Sequence, residues 1–188
     1  HCAAQILLRC NIWIMSEGLP MDAKTEPQGD APLEPLAPID PNLEAELHGL
    51  YYEDLSVGMS ATYARTVTDA DIVMFSGISG DTNPIHLAAT FADGSMFGGR
   101  VAHGMLTASF FSAVIGTKLP GPGCIYMSQS LRWNAPVRAG DTVVTRATIT
   151  ELDDEKQRAK LDMVSMVGHE VVLEGEALVK VPLRNKDG

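Results

Sequence analysis

Paired cysteines are the first thing this sequence lacks. Cys2, Cys10 and Cys124 form an odd, scattered set without C-x-x-C spacing. That excludes a disulfide framework and a Cys/His zinc site as the basis of the fold, and a reducing, cytoplasmic compartment is the expectation that fits. Positive charge is also scarce: 14 Lys and Arg stand against 24 Asp and Glu, for a net charge of −10. No basic block occurs, so nucleic acid and anionic membrane surfaces are not expected partners, because both are held by clustered Lys and Arg. A small anion stays compatible, since a few local cations hold a phosphate on an acidic protein. Long apolar runs are missing too. Arg9 and Asn11 interrupt the patches Ile6-Leu7-Leu8 and Ile12-Trp13-Ile14. Nothing approaches the roughly 18 apolar residues of a membrane-spanning helix, and no A-x-A-like cleavage motif follows. The chain begins at His1, so Met15 or Met21 is a candidate natural start, and the residues before Met15 are assigned no function.

What is present suits one domain with an appendage. A chain of 188 residues can build a core without disulfide or metal support. From Leu19 to Pro41, six prolines sit among Asp, Glu and Ala. Such a stretch cannot sustain a hydrogen-bond ladder and has little to bury. Residues 1–48 are therefore read as a poorly ordered extension and linker, and residues 49–188 as the folded domain, with structure starting near Leu50.

Within the domain, Gly58 to Val67 predicts a strand, because Met59, Ala61, Tyr63, Arg65 and Val67 share one parity. Thr68-Asp69-Ala70-Asp71 predicts a helix start, with Thr68 as cap and the acids at the positive helix end. Ile72, Val73, Phe75 and Ser79 form a helical stripe that Gly77 and Gly80 weaken, and Gly80 ends the helix. Asp81-Thr82-Asn83-Pro84-Ile85-His86 follows as a turn, since Pro84 pushes Asn83 out of the α region. His103 to Ile115 is the strongest helix, apolar or small on nearly every face, and it predicts burial on all sides. Four β-rich runs come next, at Ile125–Ala135, Asp141–Leu152, Ala159–Val167 and Val171–Val181. Four successive strands predict an antiparallel sheet. The expected fold is α+β: a hot-dog fold, in which a curled antiparallel sheet wraps a long buried helix. Met74, Met105 and Met163 are expected to fill core gaps, and His48 and His169 to be solvated.

Two segments carry chemistry. Asp81 and His86 stand five residues apart across the Asn-Pro turn, a spacing that diverges on a helix but converges across a bend. A water between them can lose a proton to one group while the other donates or relays one. The purely structural alternative makes Asp81 a helix cap and His86 an ordinary histidine at the edge of the core. The second segment, Val101-Ala102-His103-Gly104-Met105, puts a glycine at the start of the buried helix. N–H groups there lack intrahelical acceptors and can stabilise a thioester enolate. The alternative is close packing at Gly104.

Together, G-D-T-N-P-I-H, V-A-H-G-M-L-T-A-S-F, L-P-G-P-G-C-I-Y and A-P-V-R-A-G-D-T-V resemble the MaoC-like (R)-specific enoyl-CoA hydratases, in order from about Tyr51 to Val181. The resemblance implies a single hot-dog domain that forms a homodimer, with its active site near the subunit interface. It implies Asp81 and His86 as the catalytic pair, Gly104 as the N–H donor to the thioester oxygen, and Ser112, Asn83 and His103 as pocket residues. Ser112 has a second reading, a small residue packed on the sheet. The implied reaction hydrates trans-2-enoyl-CoA reversibly to (R)-3-hydroxyacyl-CoA, without metal or organic cofactor, coenzyme A being part of the substrate. Other readings are a dehydratase acting on another carrier or on a branched or dicarboxylic acyl group, a hot-dog thioesterase, and an inactive acyl-binding subunit. One departure stands out: where the family often has H-x-D, this chain has His86-Leu87-Ala88, which removes a local helix cap. Arg100, Lys118, Arg132 and Arg138 are candidate contacts for coenzyme A phosphates, each with a plain surface alternative.

Overall fold

The structure, a computed structural model, describes residues 40–184. Most of the proline-rich segment, Cys2 and Cys10 lie outside them. The described chain opens with helix α1 (Pro41–Leu47), capped by Asp40, whose carboxylate accepts from the Asn42 amide at 2.8 Å. Order thus begins before Leu50, because a proline at the first helical position and an Asp cap supply a start signal inside the linker composition. The backbone then runs beside Pro120–Pro122, with the Gly49 and Leu50 amides donating to the carbonyls of Pro122 and Pro120 at 2.8 Å each.

Strand β1 (Ser60–Thr66) leads into α2 (Asp69–Ser79), then the short α3 (Pro84–Leu87) and α4 (Ala89–Asp93), and the long α5 (Gly104–Thr117). Five strands follow: β2 (Ile125–Gln129), β3 (Arg132–Trp133), β4 (Thr142–Asp153), β5 (Arg158–Val167) and β6 (Glu170–Lys180). All pairings are antiparallel and the sheet order is β1-β4-β5-β6-β2, with β3 also on β6. The expected run from Ile125 to Ala135 is split because its pairing to β6 shifts between Tyr126 and Ser128 and again before Arg132.

The α+β hot-dog architecture holds, with a difference in how the helix is covered. In β4 the residues Val143, Thr145, Ala147 and Ile149 point inward, and in β5 Ala159, Leu161, Met163 and Ser165 do. Thr145 and Ser165 satisfy each other across the pair, 2.7 Å apart. Phe111, Val114 and Ile115 of α5 are buried on this side, and the helix packs against β4 and β1. The sheet's hydrogen bonding ends in two edges rather than curling round the helix. Met105, Ser109, Ser112 and Gly116 therefore form an exposed stripe along α5, so the described residues do not cover the helix on every side. Of the methionines expected in the core only Met163 is there, while Met74 and Met105 are more than half exposed. Val73 is exposed as well. The buried face of α2 is Asp71, Ile72 and Ser76 instead.

Local signals were followed closely around α2. Thr68 accepts from the Asp71 amide, and the Asp71 carboxylate accepts from the Thr68 amide and hydroxyl. Those bonds, with the Arg65 guanidinium alongside, hold the buried Asp71 carboxyl below its ordinary value of 3.8. A value depressed on folding contributes stability above the unfolded pKa and loses it as pH falls through the folded value. Urea melts should therefore show the native protein losing stability below about pH 4, with Asp71→Asn less stable at neutral pH and flatter in acid. Ala88, in extended conformation at the start of α4, makes no side-chain cap. Ala88→Asp should raise stability by about 1 kcal/mol in the same melts.

Candidate active site

Gly80 ends α2 in the left-handed conformation, at φ 76°, a geometry open to glycine at little cost. The reversed chain then presents Asp81. Its Oδ1 accepts from the Asn83 amide at 3.1 Å, and Asn83 in turn caps α3 through the Ile85 amide at 3.2 Å. Asn83 is thus the residue that holds the bend, and it is exposed. The second oxygen of Asp81 is left for other partners. It lies 3.9 Å from His86 Nε2, too long for a direct hydrogen bond and within reach of a shared water.

His86 is held from several directions. Its Nδ1 lies 2.8 Å from the Val101 carbonyl, which only accepts, so Nδ1 donates to it and Nε2 faces Asp81. The ring is 9% exposed. The Arg100 Nε–H donates to the His86 carbonyl at 2.7 Å while its guanidinium pairs with Asp69 at 3.1 Å. The His103 ring lies against that of His86, with centroids 3.8 Å apart.

The segment before α5 is pinned at both sides: the Val101 amide donates to Ile85 and the Ala102 amide to Val137. Gly104 follows as the first residue of α5, where an N–H has no acceptor within the helix. It borders a cavity of about 320 Å³ shared with His86, Ile85, Phe97, Thr107, Trp133, Asn134, Val137 and Val172. The lining is largely apolar, with His86, Thr107, Trp133 and Asn134 as its polar side chains. Asp81 stands half exposed beside His86 rather than in the lining. This arrangement can hold an apolar chain, polarise a carbonyl at a helix N-terminus and exchange protons next to it.

The structure brings Asp81, His86 and Gly104 together. His103 is adjacent to all three but buried behind them, outside the cavity lining. Ser112 is not brought to the cavity. It sits about 12 Å further along the axis of α5, on the exposed stripe, so neither the pocket reading nor packing on the sheet describes it within one chain. The ligand atoms of Asp81, His86 and His103 lie within 4.8 Å of one another, a donor set that a divalent cation could bridge, although one nitrogen of each histidine already bonds a carbonyl.

The four candidate phosphate contacts all bind their own chain. Besides Arg100, Arg138 reaches the carbonyls of Arg100 and Phe97, Lys118 that of Thr62, and Arg132 the Glu174 carboxylate. His48 is not free in solvent but stacks on Tyr51, with centroids 4.2 Å apart. No helix among the described residues is long and apolar enough to cross a membrane.

Sequence reading missed Trp133. Its indole N–H donates to the Gly104 carbonyl at 3.0 Å, and a Cβ on Gly104 would lie 2.7 Å from that nitrogen. Glycine there serves close packing and the open N–H at once. No local signal reveals this, because the contact joins residues brought together only by the pairing of β3 with β6. Trp13 and Trp133 are the two tryptophans. In a Trp13→Phe background, Gly104→Ala should shift the indole emission and cost about 1–3 kcal/mol of stability through overpacking. Unchanged emission would contradict the contact.

The MaoC-like domain model matches residues 56–172. The chain is 50% identical over 141 residues to a 3-hydroxybutyryl-CoA dehydratase of Methylorubrum extorquens, covering 75% of this chain and 90% of that one. It is likewise 50% identical over 134 residues to an (R)-specific enoyl-CoA hydratase of Rhodospirillum rubrum, covering 71% and 93%. Among solved structures, an unliganded R-hydratase from Pseudomonas aeruginosa superposes with a TM-score of 0.70 at 36% identity, covering 73% of this chain and 89% of that one.

Proposed function

The chain belongs to the MaoC-like domain family, and from that premise we propose that it hydrates trans-2-enoyl-CoA reversibly to (R)-3-hydroxyacyl-CoA. The observation that carries this reading is the 3.9 Å approach of Asp81 Oδ2 to His86 Nε2 beside a cavity that Gly104 borders. An enoyl thioester seated with its oxygen at the Gly104 N–H draws electron density from C3 toward that oxygen. Water held at the Asp81–His86 gap adds at C3 and gives one proton to the pair, and the pair returns a proton to C2. Nothing but H and OH is added, so the reaction balances without metal or organic cofactor. The reverse path removes the same elements, which agrees with relatives named for either direction.

The substrate partner is the acyl-CoA thioester, its coenzyme A being carrier and not a resident group. The working form is a homodimer in the cytoplasm. Support for the dimer comes from the exposed stripe of α5 and from the β2 edge, where Ile125, Tyr126 and Met127 are exposed. A second copy covering that stripe would bury Ser112.

Purified protein should bleach the enoyl absorbance of crotonyl-CoA without releasing thiol, and the product should resist an (S)-specific 3-hydroxyacyl-CoA dehydrogenase. Asp81→Asn and His86→Gln should each lower kcat by about 10²–10⁴-fold. Thiol release would instead indicate a thioesterase, and an inert enoyl thioester would end the hydratase reading.

A further inference from the structure

His103 is 2% exposed and contributes nothing to the cavity lining, yet it touches every part of the site. Its Nε2 lies 3.0 Å from the Asp81 carbonyl. A carbonyl only accepts, so Nε2 carries a proton. The Ser76 hydroxyl oxygen, 3.2 Å from the same nitrogen, can share that N–H. Nδ1 is buried without a hydrogen-bond partner among the described residues. Nε2 is therefore the ring's one hydrogen-bonding atom. The ring is clamped between Phe75, centroid 5.1 Å away, and His86, at 3.8 Å.

A histidine kept only for core packing is expected to satisfy both nitrogens or to be replaceable by an apolar ring. This one satisfies a single nitrogen, and spends it on the backbone of Asp81. Its ring supports His86. Its own carbonyl carbon bears the amide nitrogen of Gly104, so the same residue sets the direction of that N–H. Asp81, His86 and Gly104 come from three different elements, and His103 is where their restraints meet.

We propose that His103 is a positioning residue that, as a hydrogen-bond donor, fixes the relative placement of Asp81 and His86. The inference rests on the hydratase reading for its kinetic consequence but not for its structural one. In crotonyl-CoA hydration, His103→Ala should lower kcat by about 100-fold with KM little changed. His103→Gln, which keeps an N–H at similar reach, should recover much of that loss. In histidine 15N spectra of the substrate-free protein, wild type should show His86 protonated at Nδ1 alone. His103→Ala should blur that signal toward a mixture of tautomers, and His103→Gln should restore it. Wild-type kcat in folded His103→Ala, or an His86 signal indifferent to both substitutions, overturns the proposal. If His103→Ala does not fold, His103→Phe, which keeps a ring but no N–H, takes its place in the same spectrum, and an unchanged His86 signal there overturns the proposal. A wild-type protein that hydrates nothing refutes the hydratase reading alone, because the spectrum still judges His103.

Discussion

Burial of one side of α5 is the constraint from which the rest of the molecule follows. Phe111, Val114 and Ile115 are almost wholly removed from water, each such side chain being worth roughly 1.5–3 kcal/mol. Helix geometry then fixes the other end. Once those residues are seated against β4 and β1, the first turn of α5 has no freedom to rotate. His103 and Gly104 are placed by packing more than a full turn away, and the site inherits the rigidity of the core.

The bend that carries Asp81 and His86 is rigid for a different reason. Gly80 reverses the chain, Asn83 caps α3, and Pro84 occupies its first position. Each restraint is local. The coupling between the two rigid parts is made by a few long-range bonds: Val101 to His86 and Ile85, His103 to Asp81, and Arg100 to the His86 carbonyl. The site is thus assembled from a locally determined turn and a helix determined by its core, joined through backbone carbonyls, one of which is bound by the Arg100 guanidinium.

That division explains what could be read in advance. The capping box at Thr68, the stop at Gly80, the Asn-Pro turn and the start of α5 are all encoded within a few residues, and each was legible. So was the antiparallel pairing of the strands, though not their order, because four β-rich runs without intervening helices leave little choice of direction. The lining of the cavity was not legible. Trp133, Asn134 and Val172 reach it only through the register of β3 on β6, and no local pattern reports register. The exposure of Met74, Met105 and Val73 was missed for a related reason. An apolar stripe shows that a face can be buried, but not which neighbour is present to bury it.

The fit of Trp133 against Gly104 ties two distant codons together. With an indole at 133, a side chain at 104 has to displace it at a cost in stability, so change at the glycine is disfavoured for as long as the tryptophan persists. A lineage can change this corner only in order, by first exchanging the large ring for a smaller one. Positions 104 and 133 should therefore be inherited as a unit.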